Sequence, residues 1–169
     1  MLNAKIFYAM DMSKHEVNIY IEPKLKVSVK KAWLKTQMRR ILDILNLNVP
    51  SELGLVITND EMMRMLNKTY RHKDASTDVL SFPMDPKKGK KIRNILCAIP
   101  PDGVSHLGEV IISYPEAIVQ ARNKEHDIRS ELLILMIHGV LHLLGYDHEQ
   151  SKEQHMRTRE EEILKKLTL

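Results

Sequence analysis

The chain has 169 residues, 43% hydrophobic and 28% charged, with a formal net charge of +4 and a pI of about 9.1. That length suits one domain with a sizeable core, and no apolar run approaches membrane-spanning length, so no membrane partner is expected. A single cysteine, Cys97, excludes an internal disulfide framework and fits a reducing cytoplasm, while the mild basic excess favours a polyanionic partner only weakly.

Met1 to Met12 has some apolar character but carries Lys5 and Asp11 and lacks a small-residue cleavage pattern. Residues 1–15 therefore read as an N-terminal extension rather than a signal peptide. Val17 to Ile21 alternates with period two and predicts a half-buried strand, closed by Pro23. From about Lys26 to Leu47, apolar residues at 34, 38, 41, 42 and 45 recur at helical spacing. Lys31, Lys35 and Arg39 stripe another face of that helix, which reads as solvated surface. Leu53 to Thr58 predicts a buried strand. Asn59 predicts the N-cap of a helix from Asp60 to about Arg71, with Asp60 and Glu61 in its first turn. Asp78 to Phe82 predicts another strand, ended by Pro83.

Residues 84–106 predict a long basic loop, with Pro86, Pro100, Pro101 and a Lys/Arg run from Lys87 to Arg93. Leu107 to Ile112 predicts a further strand. Ser113, Pro115 and Glu116 form a capping-box start for a helix to about Glu125. Asp127 caps the next helix, which runs to about Leu144 and is apolar almost all round, a mark of burial. Ser151 with Gln154 suggests a capping box opening a last helix that ends near Lys166. The expectation is an α+β fold spanning 1–169 as a single domain. Its small mixed sheet of about four strands packs with helices, and the histidine helix is buried centrally.

That helix carries the sharpest chemical signal. His138 and His142 are one turn apart and leave the same face. Gly145 allows a sharp turn that can return His148 toward them. Three imidazoles converging on one point suit a zinc site with an open fourth position. A closed structural site would need a fourth ligand, for which Asp147 and Cys97 are the candidates. His15, His72, His106, His126 and His155 read as ordinary core or surface residues. The spacing matches the metzincin zinc ligands H-E-x-x-H-x-x-G-x-x-H, but Gly139 stands where the general-base glutamate belongs. Glu131 lies seven residues before His138 on the same helical face but about 10 Å away along the axis, which leaves Glu109, at the end of a strand, as the better outside candidate.

A second constellation, Asn67-x-x-Tyr70-Arg71-x-x-Asp74-x-x-Thr77-Asp78-Val-Leu-Ser81-Phe82-Pro83, is polar at a helix-to-strand junction, where turn chemistry is the plain reading. Taken with Leu107-Gly108-Glu109-Val-Ile-Ile-Ser113 and the histidine segment, it closely resembles the YbeY family, from about Leu55 to the last helix. That resemblance implies a cytoplasmic, zinc-dependent, single-strand-specific endoribonuclease. It implies action in ribosomal RNA processing, above all 3′-end maturation of the small-subunit RNA, and in ribosome quality control. It implies one zinc ion (Zn2+) per chain on His138, His142 and His148, and a functional arginine at Arg71. Expected partners are single-stranded RNA, ribosomal RNA and the small ribosomal subunit or its proteins, with no DNA. A guanidinium matches phosphate oxygens, and Lys87, Lys88, Lys90, Lys91 and Arg93 could hold a single-stranded backbone. A zinc metalloprotease-like hydrolase and a non-catalytic, metal-stabilised ribosome assembly factor are the alternative readings. The 84–106 stretch looks longer than the family's usual connection, and Ala75-Ser76 replaces a pair that often contains proline.

Overall fold

In the computed structural model, residues 14–47, 49–84, 103–146 and 153–168 are described. Four strands form one sheet: β1 (His15–Ile21), β2 (Ser51–Thr58), β3 (Val79–Pro83) and β4 (Ser105–Ser113). Their order is β1-β2-β4-β3. The first three are mutually parallel, and β3 closes the edge antiparallel to β4. Five helices are described: α1 (Lys31–Leu45), α2 (Asp60–Arg71), α3 (Tyr114–Asn123), α4 (Ile128–Leu143) and α5 (Glu153–Thr168). This is the expected α+β fold with a mixed four-stranded sheet, and no described helix is long and apolar enough to cross a membrane.

Strand alternation sorts side chains onto two unequal faces. One face presents Val17, Ile19, Leu53, Leu55, Ile57, Val110 and Ile112. It is packed by α1 through Leu34, Met38, Ile41 and Leu42, and by α4 through Leu132, Met136 and Val140. Met156, Ile163 and Leu167 of α5 join the same core. The other face is covered only in part. Met63 and Leu66 of α2 pack on Leu80, Ile111, Val56 and Phe82. Tyr20, on the uncovered part, is 52% exposed.

The three helix starts follow the expected caps. Asn59 accepts from the Met62 N–H (2.9 Å), Ser113 from the Glu116 N–H (3.2 Å) and Asp127 from the Ser130 N–H (2.7 Å). The Ser151 cap falls outside the described residues, as do residues 1–13 and 85–102.

Several boundaries differ from the sequence expectation, and three have an identifiable cause or bear on an expected segment. The first helix begins at Lys31, not near Lys26. Tertiary contacts hold the lead-in instead. The Tyr114 hydroxyl accepts from the Ser28 N–H (2.9 Å) and lies 2.7 Å from the Ser28 hydroxyl, while Val29 is buried. The last strand begins at Ser105, inside the stretch 84–106 expected as loop. Ser105 N–H donates to Pro50 O at 2.8 Å, and a register shift between Glu52 and Leu53 places Leu107 as a bulge. The bulge breaks the period-two pattern, which hides the first two strand residues from a sequence reading. The first strand already includes His15, within the expected extension 1–15.

Candidate metal centre

Helix α4 lies against β3 and β4 and between its neighbours α3 and α5. It approaches the sheet at Gly139. A Cβ there would sit 2.5 Å from Val110 Cγ1, with Cγ2 at 3.0 Å, so no side chain fits. The Ser81 hydroxyl donates to the Gly139 carbonyl at 2.9 Å, which ties edge strand β3 to the helix at the same level. Gly139 is therefore a packing requirement as well as the position of a missing base.

The helix ends as the glycine predicts. Gly145 adopts φ +85°, its N–H returns to His142 O (3.0 Å), and the Tyr146 N–H reaches Leu141 O (3.0 Å). This paired closure satisfies two terminal carbonyls and turns the chain just past the histidines.

His138 and His142 come together. Their Nε2 atoms are 3.1 Å apart, with ring centroids at 4.6 Å and planes at 70°. Bonds of about 2.0–2.1 Å to a tetrahedral zinc would hold adjacent nitrogens roughly 3.3 Å apart. The ring Nδ1 of His138 lies 2.6 Å from Glu160 Oε1, and both side chains are about a quarter exposed. With Nδ1–H donating to that carboxylate, the neutral His138 ring leaves a lone pair on Nε2. Two imidazole nitrogens at this separation, one ring backed by a carboxylate, have the donor type and spacing that suit a transition-metal ion. His148, the third expected ligand, lies outside the described residues. Among the described residues alone, no group of three metal-ligating side chains forms.

Glu160 was not anticipated from sequence, though a signal for it exists. It falls on the α5 stripe that buries Met156, Ile163 and Leu167, four residues after the first of these and three before the second. A carboxylate on a buried stripe demands a partner.

Neither sequence candidate for a protease base reaches the histidines. Glu131 is fully buried, and its two oxygens meet Lys124 Nζ (2.9 Å) and His126 Nε2 (2.5 Å). Glu109 points to the opposite sheet face, across Gly54.

The polar block around Arg71 is largely turn chemistry. His72 takes the left-handed conformation at the end of α2 (φ 58°). Asn67 Nδ2 donates to Ala75 O (2.8 Å). Asp74 receives Arg64 Nε (2.7 Å) and Lys68 Nζ (2.9 Å), and these hold its carboxyl down at about 2. Asp78 accepts from the Val79 N–H and from Gln120 Nε2, both at 2.8 Å. Asp60 receives the Ser113 hydroxyl (2.5 Å) and the Ser76 hydroxyl (3.2 Å). Arg71 takes part in none of these bonds. It is exposed at the C-terminal end of α2, and no described hydrogen bond or ion pair joins it to either histidine.

A cleft of about 360 Å³ lies on the open face of the sheet, lined by Asn18, Glu52, Gly54, Phe82, Met84 and Glu109 among others. Sequence reasoning did not locate it. Glu52 is engaged there by Asn18 Nδ2 (3.0 Å) and His106 Nδ1 (2.7 Å). Met84, the last described residue before the gap in the described chain, lines the cleft. Lys87, Lys88, Lys90, Lys91 and Arg93 lie outside the described residues.

A protein named Endoribonuclease YbeY from Dehalococcoides mccartyi (strain CBDB1) is 41% identical over 155 residues, covering 89% of this chain and 92% of that protein. One of the same name from Aquifex aeolicus is 39% identical over 161 residues, covering 94% and 98%. In fold, the chain is similar to the solution structure of TM1509 from Thermotoga maritima, with a TM-score of 0.56, 22% identity and coverage of 89% and 88%. The family model described as Endoribonuclease YbeY matches residues 18–168, so the chain belongs to the YbeY family.

Proposed function

We propose that the chain is a metal-dependent endoribonuclease that cleaves single-stranded RNA during ribosomal RNA maturation, at the 3′ end of the small-subunit RNA, and serves ribosome quality control in the cytoplasm. The observation that carries this reading is the 3.1 Å convergence of the His138 and His142 Nε2 atoms on a chain whose relatives are named endoribonucleases. His138, His142 and His148 would hold one zinc ion. When bound, the metal supplies Lewis acidity toward a phosphodiester.

The remaining work falls to the chain's own residues. Arg71 carries a planar fork of donors that suits two phosphoryl oxygens, and no hydrogen bond or ion pair to another described residue engages it. Negative charge grows on those oxygens as the phosphodiester breaks, and a positioned guanidinium stabilises it more there than in the ground state. The Lys87–Arg93 run supplies further cations for the backbone of a single strand. Aromatic residues are only 5% of the chain, so stacking contributes little and weak sequence preference is expected.

The metalloprotease alternative loses ground on three residues. Position 139 has no room for a base, Glu131 is consumed by Lys124 and His126, and Glu109 lies on the other face. The test is the sequence of ribosomal RNA ends in cells carrying His138→Ala or Arg71→Glu beside wild type. Both variants are expected to accumulate unprocessed ends, with bound metal lost in the first and retained in the second. Wild-type ends in both would sink the assignment.

A further inference from the structure

We propose that Glu160 is a positioning residue of the metal centre: it holds His138 in its Nδ1–H tautomer and aims the Nε2 lone pair at the point that His142 also faces. The inference rests on the metal reading above and assigns to it a residue from the last helix. Its basis is a short contact, 2.6 Å from Nδ1 to Oε1, between two partly buried side chains.

Two other carboxylates of α5 behave differently. Glu162 pairs with Arg159 at 2.8 Å and Glu161 with Arg157 at 3.5 Å, along the exposed side of the helix. Among the described residues no lysine or arginine pairs with Glu160; its partner is the imidazole. A neutral imidazole exists in two tautomers, of which only one leaves Nε2 free to bind a metal. A carboxylate fixed on the Nδ1 side favours that tautomer, sets the ring orientation and raises the basicity of Nε2. Glu160 can do so because its flanking positions are anchored. Met156, Ile163 and Leu167 are each no more than 6% exposed and seat α5 against the core. The last helix is thus part of the metal centre without supplying a ligand.

A purely structural ion pair would hold α5 to α4 and leave metal affinity alone, so the two roles separate by measurement. Zinc affinity by chelator competition, melting of the metal-free protein, and the 15N signals of the His138 ring should be recorded for wild type, Glu160→Gln and Glu160→Ala. Glu160→Ala is expected to bind zinc about 10- to 100-fold more weakly and to lose the preference for a proton on Nδ1. Glu160→Gln, which keeps an oxygen acceptor without the charge and preserves packing, is expected to keep the tautomer and lose less affinity. Wild-type zinc affinity in Glu160→Ala, or an unchanged ring tautomer in it, overturns the proposal while leaving the metal reading intact. Absence of stoichiometric zinc binding by the wild-type protein takes down the metal reading and this proposal together.

Discussion

The two faces of the sheet are built by opposite means. On the covered face α1, α4 and α5 pack on the sheet, α4 so closely against β4 that one position admits no Cβ, and the Nε2 atoms of His138 and His142 lie 3.1 Å apart. On the other face, α2 covers only the β3–β4 side, leaving a cleft and the exposed Tyr20. A metal centre needs ligands fixed within tenths of an ångström, which rigid, buried helices supply. The other face keeps accessible surface, and the exposed Arg71 closes α2 just before the turn into edge strand β3. One face of the sheet is thus packed for rigidity while the other is left partly open.

Two glycines test this contrast most strongly. At Gly139 an alanine would gain about 1 kcal/mol of helix propensity, but its Cβ meets the stiff, fully buried Val110. The helix must then shift, and a net loss of about 1–3 kcal/mol is expected. At Gly54 the nearest atoms to an added Cβ all belong to the Glu109 side chain (Cγ at 3.0 Å), which is exposed and can swing into solvent. Gly54→Ala should therefore cost less than about 0.5 kcal/mol, the usual range for surface changes. Equal losses in denaturant unfolding would break the distinction between the faces.

The caps give a smaller effect and sharpen the comparison between α2 and α4. Asn59→Ala and Asp127→Ala should each remove about 1 kcal/mol at neutral pH. Only the second loss is pH-dependent. Hydrogen bonds from the Ser130 N–H and hydroxyl, opposed by slight desolvation, hold the Asp127 carboxyl below its usual value. A depressed folded-state pKa contributes stability above the unfolded value, near 3.8, and loses it as pH falls through the folded one. The gap between wild type and Asp127→Ala should narrow in acid while the Asn59→Ala gap persists, as read from unfolding curves at both pH values.

The smallest effect concerns His15, buried at the start of β1. Burial lowers its pKa, Asp43 at 3.7 Å opposes the shift, and Lys14 adds to it. Because the unfolded chain takes up a proton more readily, the neutral ring's contribution is complete above pH 6.5 and declines as pH falls toward the folded value. Urea midpoints should drop modestly below that pH, and His15→Gln should flatten the slope.

Local signals were legible in the sequence and distant ones were not. Asn59, Ser113 and Asp127 each reveal themselves through a neighbour three residues away. His138 and His142 are legible because one helical turn fixes their relation. The lead-in to α1 was not legible, since Ser28 is held by Tyr114 across 86 positions. Nor was the reason for Gly139, which resides in Val110. Glu160 sat in plain view as a charge on an apolar stripe, but its partner belongs to another helix.

Gly139 also bears on how this protein could change over time. Its spacing lies one residue type away from that of a zinc peptidase, which makes the two activities look like mutational neighbours. They are not, because any side chain at that position begins inside Val110. Reaching the peptidase arrangement would require the backbone of α4 to lift off β4 and the Ser81 bond to break along the way. No single substitution supplies that movement, so a random-mutagenesis library of this chain should contain no one-step route to peptide hydrolysis.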